Sequence, residues 1–160
     1  MPLPAAAQRV SDSLRRNGYT GEILELTVPT RSAAEAAAAV GCDVARIVKS
    51  LIFRTAQTKR AILVLTSGAN RVDEAALGGR LGEALERADA DFVREHTGFA
   101  IGGVPPVGHP APLRTLIDHD LMAHPTIWAA AGTPNTVFEV APGELVRMTG
   151  ADVVSVTAVP

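Results

Sequence analysis

The segment from Phe99 to His109 constrains the fold of this 160-residue chain more than any other stretch. Its sequence, FAIGGVPPVGH, places three glycines and two prolines among apolar residues. Glycine permits positive φ angles, whereas proline fixes φ at about −65° and removes an amide donor. We therefore predict a rigid loop, which is either a tight buried turn between core segments or a loop that brings backbone amides close to a ligand. The residues at its centre that keep an amide donor are Gly102, Gly103, Val104, Val107 and Gly108.

The length and composition of the chain predict a single globular domain over residues 1–160, with 47% hydrophobic and 20% charged residues. No apolar run is long enough to span a bilayer, and the first residues lack the basic region of a signal peptide, so we expect a cytoplasmic protein without a membrane partner. The net charge of −2 argues against a protein that binds nucleic acid mainly by bulk electrostatics. Cys42 is the single cysteine, which excludes an internal disulfide and a zinc site made of thiolates.

Hydrophobic periodicity, capping residues and turn residues predict a succession of helices and strands without regular βαβ alternation. The predicted helices are 4–17, 32–40, 70–77, 81–88, 90–96 and 142–149. The predicted strands are 22–28, 47–54, 61–66, 113–118, 126–131, 137–140 and 153–156. This order favours one compact α+β unit with a mixed, mostly antiparallel sheet, because a short polar hairpin joins strands 47–54 and 61–66.

Lys49 lies in the strongest strand pattern and is one of only two lysines in a chain with 13 arginines. The two-residue period of a strand places Lys49 on one face with Ile47, Leu51 and Phe53. A lysine among large apolar side chains either extends its ammonium group to water at a strand edge or meets an anion in a site. Both interpretations are open from the residues alone.

Several common catalytic motifs are absent from the sequence. It contains no P-loop, no dinucleotide-binding G-x-G-x-x-G and no G-x-S-x-G. A set of five polar residues lies within sixteen positions and offers metal ligands: His109, Asp118, His119, Asp120 and His124. Their spacing matches no standard metal motif, and the alternative is that they are solvated turn residues.

Three features in chain order resemble the YbaK/prolyl-tRNA-synthetase-associated editing domain family. They are Lys49 in its apolar strand, the segment from Gly102 to Gly108, and Gly132 followed by a strand and a helix. The resemblance extends from about Gly18 to Gly150. It implies a mixed α/β fold with a curved, partly barrel-like sheet surrounded by helices. It also implies a free-standing trans-editing enzyme, which hydrolyses the ester that links a wrong amino acid to tRNA.

The resemblance assigns roles to individual residues. Lys49 corresponds to the functional lysine of the family, and Gly102, Gly103 and Pro106 belong to its glycine-to-proline loop at the active site. Gly132 corresponds to the glycine of the later motif. The substrate-binding candidates are Ser50, Phe53, Val104, Gly108, His109, Asp118, Gly132 and Thr133.

The chemistry implied by the resemblance is hydrolysis of an ester without a cofactor. Backbone amides of the loop suit stabilisation of the oxyanion, and Lys49 would hold the phosphate of the terminal adenosine or the carbonyl oxygen. No residue is an obvious general base, so we expect water attack that is assisted by a hydroxyl of the substrate. The expected partner is the acceptor end of a mischarged aminoacyl-tRNA, with an aminoacyl-tRNA synthetase as a further candidate. We expect a monomer or a weak homodimer.

The identity of the amino acid stays open among Ala, Cys, Ser and Thr. Ser50 follows the lysine and Thr133 follows Gly132, at positions where relatives carry various residues, including histidine in the later motif. One methylene changes binding in an apolar pocket by only about 1–3 kcal/mol, so overlapping specificities are expected. Two other functional classes stay open: a non-catalytic module of the same fold that binds tRNA ends or a nucleotide, and a metal-dependent hydrolase.

Overall fold

Two β-sheets and five α-helices surround a shared hydrophobic core in the computed structural model of the chain, which describes residues 2–157. The strands are β1 (Ile23–Glu25), β2 (Val48–Thr55), β3 (Ala61–Ser67), β4 (Leu85–Arg87), β5 (Arg114–Asp118), β6 (Ile127–Ala130), β7 (Thr136–Val140) and β8 (Asp152–Val154). The helices are α1 (Ala5–Arg16), α2 (Ala33–Val40), α3 (Glu74–Leu81), α4 (Ala90–Thr97) and α5 (Pro142–Thr149). Short 3₁₀ helices span Val44–Arg46 and His119–Ala123.

The larger sheet has the strand order β4-β2-β3-β5-β8 and is mixed. Strand β2 pairs antiparallel with β3 and β4, whereas β3 with β5 and β5 with β8 are parallel pairs. The smaller sheet, in the order β1-β7-β6, is antiparallel throughout. The fold is thus a mixed α/β domain with mostly antiparallel strands, as the sequence predicts, but its strands form two sheets and no closed barrel.

Both faces of the larger sheet are covered, and this is why β3 is buried along its whole length. One face, with Leu63 and Leu65, packs on α1 and the smaller sheet. The other face, with Ile62 and Val64, packs on α3 through Leu77. The two-residue period of β2 follows the same division, since Val48 and Ile52 belong to the first cluster and Leu51 and Phe53 to the second.

Two of the six predicted helices required correction. The helix predicted over 70–77 begins only at Glu74, because the Asp73 side chain accepts a hydrogen bond from the Ala76 amide and caps it there. The helix predicted over 81–88 is wrong. Gly82 ends α3 in the left-handed conformation, and the chain then forms β4, which pairs with the end of β2. None of the helices within residues 2–157 has the length and apolar composition that crossing a bilayer requires.

The predicted loop of residues 99–109 is held by backbone contacts that leave no room for a side chain at Gly103. A Cβ atom there would lie 2.8 Å from the Gly132 carbonyl oxygen and from the Thr133 Cα. Gly132 itself adopts φ 105° and packs against the Ala6 carbonyl of α1. Residues 103–107 are buried, whereas Ile101 is 60% exposed. The loop is therefore buried at its base and presents its first turn to solvent.

His109 closes the other end of this loop. Its Nε2 donates a hydrogen bond to the Pro105 carbonyl oxygen at 2.8 Å, and the ring meets Phe99 edge to face. Burial disfavours the charged imidazolium and lowers the pKa of His109 below its ordinary value, although the hydrogen bond opposes this effect. The neutral imidazole of His109 therefore stabilises the turn that contains Pro105 and Pro106.

We expect Gly103→Ala to destabilise the protein by about 1–3 kcal/mol, because the added methyl group overlaps backbone atoms that cannot move without shifting the loop. The free energy of unfolding, measured in urea, checks this. Gly79→Ala in α3 is the matched control, since its Cβ meets nothing within 4 Å. That variant should gain about 0.5–1 kcal/mol. Equal stability of the two variants would contradict the packing described for Gly103.

We expect the His109 side chain to make folding less favourable as the pH falls through about 6.5, the ordinary histidine pKa. The unfolded chain binds the proton there, while the folded chain, whose His109 pKa is lowered, does not. The slope cannot exceed about 1.4 kcal/mol per pH unit for one proton. Urea unfolding of wild type and His109→Gln between pH 8 and about 5 measures the difference. Parallel pH dependences in the two proteins would rule out this contribution.

Candidate active site

Two adjoining cavities meet at the first half of β2, where β4 no longer pairs with that strand. The arginine cavity, of about 560 Å³, is named for Arg71 and Arg87 in its wall. The alanine cavity, of about 580 Å³, is named for its small residues, Ala33, Ala36, Ala129 and Ala130. Six residues belong to both walls: Lys49, Ser50, Leu51, Ile101, Gly102 and Val104. The strand that carries Lys49 and the glycine-proline loop thus face each other across a shared boundary.

The Lys49 ammonium group is half-buried at this boundary and donates a hydrogen bond to the Asn70 carbonyl oxygen at 2.6 Å. An ammonium group has three donors, so two N–H groups have no partner within residues 2–157. Desolvation lowers the pKa of Lys49, the nearby positive charge of Arg71 lowers it further, and Asp118 opposes both. Lys49 is therefore a partly desolvated cation with donors available to a ligand.

Asp118 lies behind Lys49 and fixes the segment that holds it. Its carboxylate is buried, with 1% of the residue exposed. It accepts hydrogen bonds from the Thr66 hydroxyl, the Ser67 and Asp120 amides and the Asn70 side-chain amide, at 2.8–3.2 Å. Asn70 also donates to Asp120, at 2.8 Å. These bonds set the position of the Asn70 carbonyl and, through it, of the Lys49 ammonium group.

The loop offers unpaired backbone amides at the same boundary. Gly103 is not a free donor, because its amide bonds the Ala100 carbonyl at 3.1 Å. The amides of Ile101, Gly102 and Val104 have no hydrogen-bond acceptor within residues 2–157, and all three residues line both cavities. Unpaired amides beside a cation form an arrangement that can stabilise negative charge on a ligand oxygen.

Ser50 carries a second unpaired polar group. Its Oγ is the one buried side-chain nitrogen or oxygen without a hydrogen-bond partner in the part of the chain that the structure describes. A buried hydroxyl without a partner costs about 1–3 kcal/mol. Since Ser50 lines both cavities, a bound ligand can supply the missing partner.

The structure brings together half of the residues that the sequence analysis singled out. Lys49, Ser50, Phe53, Gly102 and Val104 line the arginine cavity, and Thr133 lines the alanine cavity. The others line neither cavity: Gly103, Pro106, Gly108, His109, Asp118 and Gly132.

Asn70 and Arg71 were not among the predicted site residues, because the sequence pattern predicted that they start a helix. The hairpin register could have located them. With the turn at residues 56–60, Lys49 pairs with Thr66, so the residues that follow β3 must pass close to Lys49. Ile101 and Arg87, both in the wall of the arginine cavity, were also missed, and only the tertiary structure places them there.

The polar set proposed as possible metal ligands is dispersed. Asp118 is buried in its hydrogen bonds, His119 has 75% of its side chain exposed, and His109 bonds Pro105. Within residues 2–157, no three His, Cys, Asp or Glu side chains are grouped so that they could hold a metal ion.

Comparisons with known proteins agree with this architecture. A crystal structure of a proposed trans-editing enzyme for prolyl-tRNA synthetase is 45% identical with a TM-score of 0.93, over 99% of this chain and 100% of that one. The crystal structure of hypothetical protein APE2540 is 33% identical with a TM-score of 0.85, over 92% and 98% of the two chains. The uncharacterized protein YwhH of Bacillus subtilis (strain 168) is 29% identical over 124 residues, 78% of each chain.

The aminoacyl-tRNA editing domain family matches residues 27–148. This range contains Lys49, the glycine-proline loop and the walls of both cavities. Since it covers most of the sequence, the chain belongs to the aminoacyl-tRNA editing domain family.

Proposed function

We propose that this protein is a free-standing deacylase that hydrolyses the ester between a small mischarged amino acid and tRNA. The candidate amino acids are Ala, Cys, Ser and Thr, and the candidate carrier is tRNA(Pro) or a related tRNA. The observation that supports this best is that Lys49 and loop residues with unpaired amides line the same boundary between two cavities. Family membership and the relative described as a trans-editing enzyme for prolyl-tRNA synthetase support the choice of tRNA.

The two cavities suit the two halves of such a substrate. The alanine cavity is lined mainly by small and apolar residues, with Trp128 and Arg31 also in its wall, and this lining fits a short amino-acid side chain. The arginine cavity has charged walls, which fit the terminal nucleotide. In this arrangement the ester lies at the shared boundary, beside Lys49 and the amides of Gly102 and Val104.

Hydrolysis at this boundary follows from the groups present. Water attacks the ester carbon, a new C–O bond forms, and the electron pair moves onto the carbonyl oxygen. The amides of Gly102 and Val104 donate to this oxyanion, and one such donor is worth roughly 3 kcal/mol. The intermediate then expels the ribose oxygen, which takes up the proton released by the water. The products are the free amino acid and the uncharged tRNA.

We propose that the substrate itself transfers the proton that the attacking water releases. Glu74 is the only carboxylate in either cavity wall among the described residues, and it lies 4.0 Å from the Arg87 guanidinium. No histidine lines either wall. We therefore assign proton transfer to a hydroxyl of the substrate that is next to the ester, and assign to the protein the positioning of ester and water.

We expect Lys49→Ala to lower single-turnover deacylation, measured below saturation, by about 100-fold or more, because it removes the cation that positions the substrate at the boundary of the cavities. The assay uses Ala-, Cys-, Ser- and Thr-tRNA, with Pro-tRNA as the correctly charged control. Lys59→Ala is the matched variant, since Lys59 is the other lysine, is exposed and, within residues 2–157, pairs only with Glu86. It should retain wild-type activity, and a chelator should change nothing.

Absence of cleavage of every ester by folded wild-type protein would refute the deacylase and favour a module that binds tRNA ends. Loss of activity on adding the chelator would favour a metal-dependent hydrolase. Equal activity of Lys49→Ala and wild type would remove Lys49 from the mechanism.

We expect Ser50→Ala to separate stability from activity. Its free energy of unfolding should equal the wild-type value or exceed it by up to about 1 kcal/mol, because the variant removes a buried hydroxyl without a partner. Deacylation should fall by about tenfold, the value of one hydrogen bond to the substrate. Ser67→Ala is the contrasting control, since its hydroxyl bonds the Ala45 carbonyl and the Ala69 amide, and its loss should destabilise the fold. Unchanged deacylation by Ser50→Ala would exclude a substrate contact.

A further inference from the structure

Arg71 is a second cation in the wall that holds Lys49. The Lys49 ammonium group donates a hydrogen bond to the Asn70 carbonyl oxygen, and Arg71 is the next residue after Asn70. The carbonyl that accepts this bond is therefore part of the peptide unit that joins Asn70 to Arg71. Arg71 lines the arginine cavity and is exposed. Within residues 2–157 its guanidinium group makes no hydrogen bond, ion pair or stacking contact with an aromatic ring.

The other charges of the cavity do not neutralise this pair of cations. Glu74 lies next to Arg87, so these two charges compensate each other. Asp118 is the nearest buried carboxylate, but its oxygens are occupied by donors from three segments. The positive charge of Arg71 disfavours protonation of Lys49. Two like charges that destabilise each other in the free protein become favourable when an anion binds between them.

The backbone that carries Arg71 is fixed on both sides. On one side, the Asn70 side chain donates hydrogen bonds to Asp118 and Asp120, and the Asn70 backbone amide donates to the Ser67 carbonyl at 2.9 Å. On the other side, the Asp73 amide donates to the Val156 carbonyl at 2.7 Å. The side chain of Arg71 is therefore free to turn toward a ligand while its attachment point stays beside Lys49.

We propose that Arg71 is a substrate-binding residue that, together with Lys49, binds the phosphate group on the 5′ side of the terminal nucleotide. This inference rests on the proposed function and specifies how the tRNA end enters the site. The planar guanidinium group can make two parallel hydrogen bonds to phosphate oxygens, and the ammonium group acts as a point charge. A phosphate at the exposed mouth of the arginine cavity leaves the ribose and its ester directed toward Gly102 and Val104.

The test compares adenosine 5′-monophosphate with adenosine as probes of the folded protein, by NMR titration. Wild type should bind the monophosphate more tightly than the nucleoside. Arg71→Gln should lose about tenfold in affinity for the monophosphate and nothing for adenosine. Arg16→Gln is the matched control, since Arg16 is exposed in the last turn of α1 and lines neither cavity. It should bind both probes as wild type does.

Two further readouts use aminoacyl-tRNA. The substrate concentration for half-maximal deacylation should rise in Arg71→Gln, with little change in the maximal single-turnover rate, because a phosphate contact acts on binding. The slope of log affinity against log salt should become shallower by about 0.7–1, which corresponds to one fewer phosphate contact.

The outcomes distinguish this inference from the proposed function. Wild-type protein without preference for the monophosphate, or Arg71→Gln with an unchanged preference, overturns the role of Arg71 even if deacylation is observed. An equal loss of affinity for both probes also overturns it, since that would indicate a structural defect. A preference for the monophosphate that Arg71→Gln abolishes supports the anion site even if no ester is cleaved, and only the deacylase would then fail.

Discussion

Asp118 places a buried carboxylate at the end of β5 and satisfies it with hydrogen bonds from β3, from the segment after β3 and from its own 3₁₀ helix. A buried charge without such partners would be strongly destabilising, so these donors are held in place for as long as the fold persists. Asn70 is one of these donors, so its backbone is also held in place, and its carbonyl oxygen positions the Lys49 ammonium group. Arg71 directly follows Asn70 and lines the arginine cavity. One buried anion thus determines where two cations can lie.

A second constraint, independent of the first, positions the loop opposite. Gly103 and Gly132 allow backbone to pack on backbone, so the loop, the turn at Gly132 and helix α1 approach to distances that a side chain would forbid. His109 holds the two prolines from the other end. Because Val104 lies in this buried base, its amide keeps a fixed direction, and Gly102 precedes it in the exposed first turn. Donors that are oriented before the substrate arrives need no reorganisation during the reaction.

The hydrogen bonds of Asp118 and the packing of the loop leave several polar groups between the two cavities without hydrogen-bond partners. Lys49, the Ser50 hydroxyl and the amides of Gly102 and Val104 all have unused hydrogen-bonding capacity at one boundary. Buried polar groups in a folded protein are nearly always paired, so the unpaired Ser50 hydroxyl and Val104 amide in the walls of two cavities indicate a place for a ligand. The arginine cavity extends this unsatisfied set with the positive charge of Arg71, whereas the wall of the alanine cavity combines small and apolar residues with Trp128 and Arg31.

The sequence by itself determined the parts of this protein that depend on neighbouring residues. Glycines and prolines specified the loop at 99–109, capping at Ser32 and Asp89 specified where α2 and α4 begin, and the strand period put Lys49 with Leu51 and Phe53. Only the tertiary structure decided that residues 85–87 form a strand, because pairing with β2 outweighs their local helical pattern. It also decided that Asp118 supports the site from behind, that Ser50 lacks a partner and that Arg71 joins Lys49. Each of these depends on contacts between distant segments, such as the bond from Asn70 to Asp118, whose geometry no local pattern encodes.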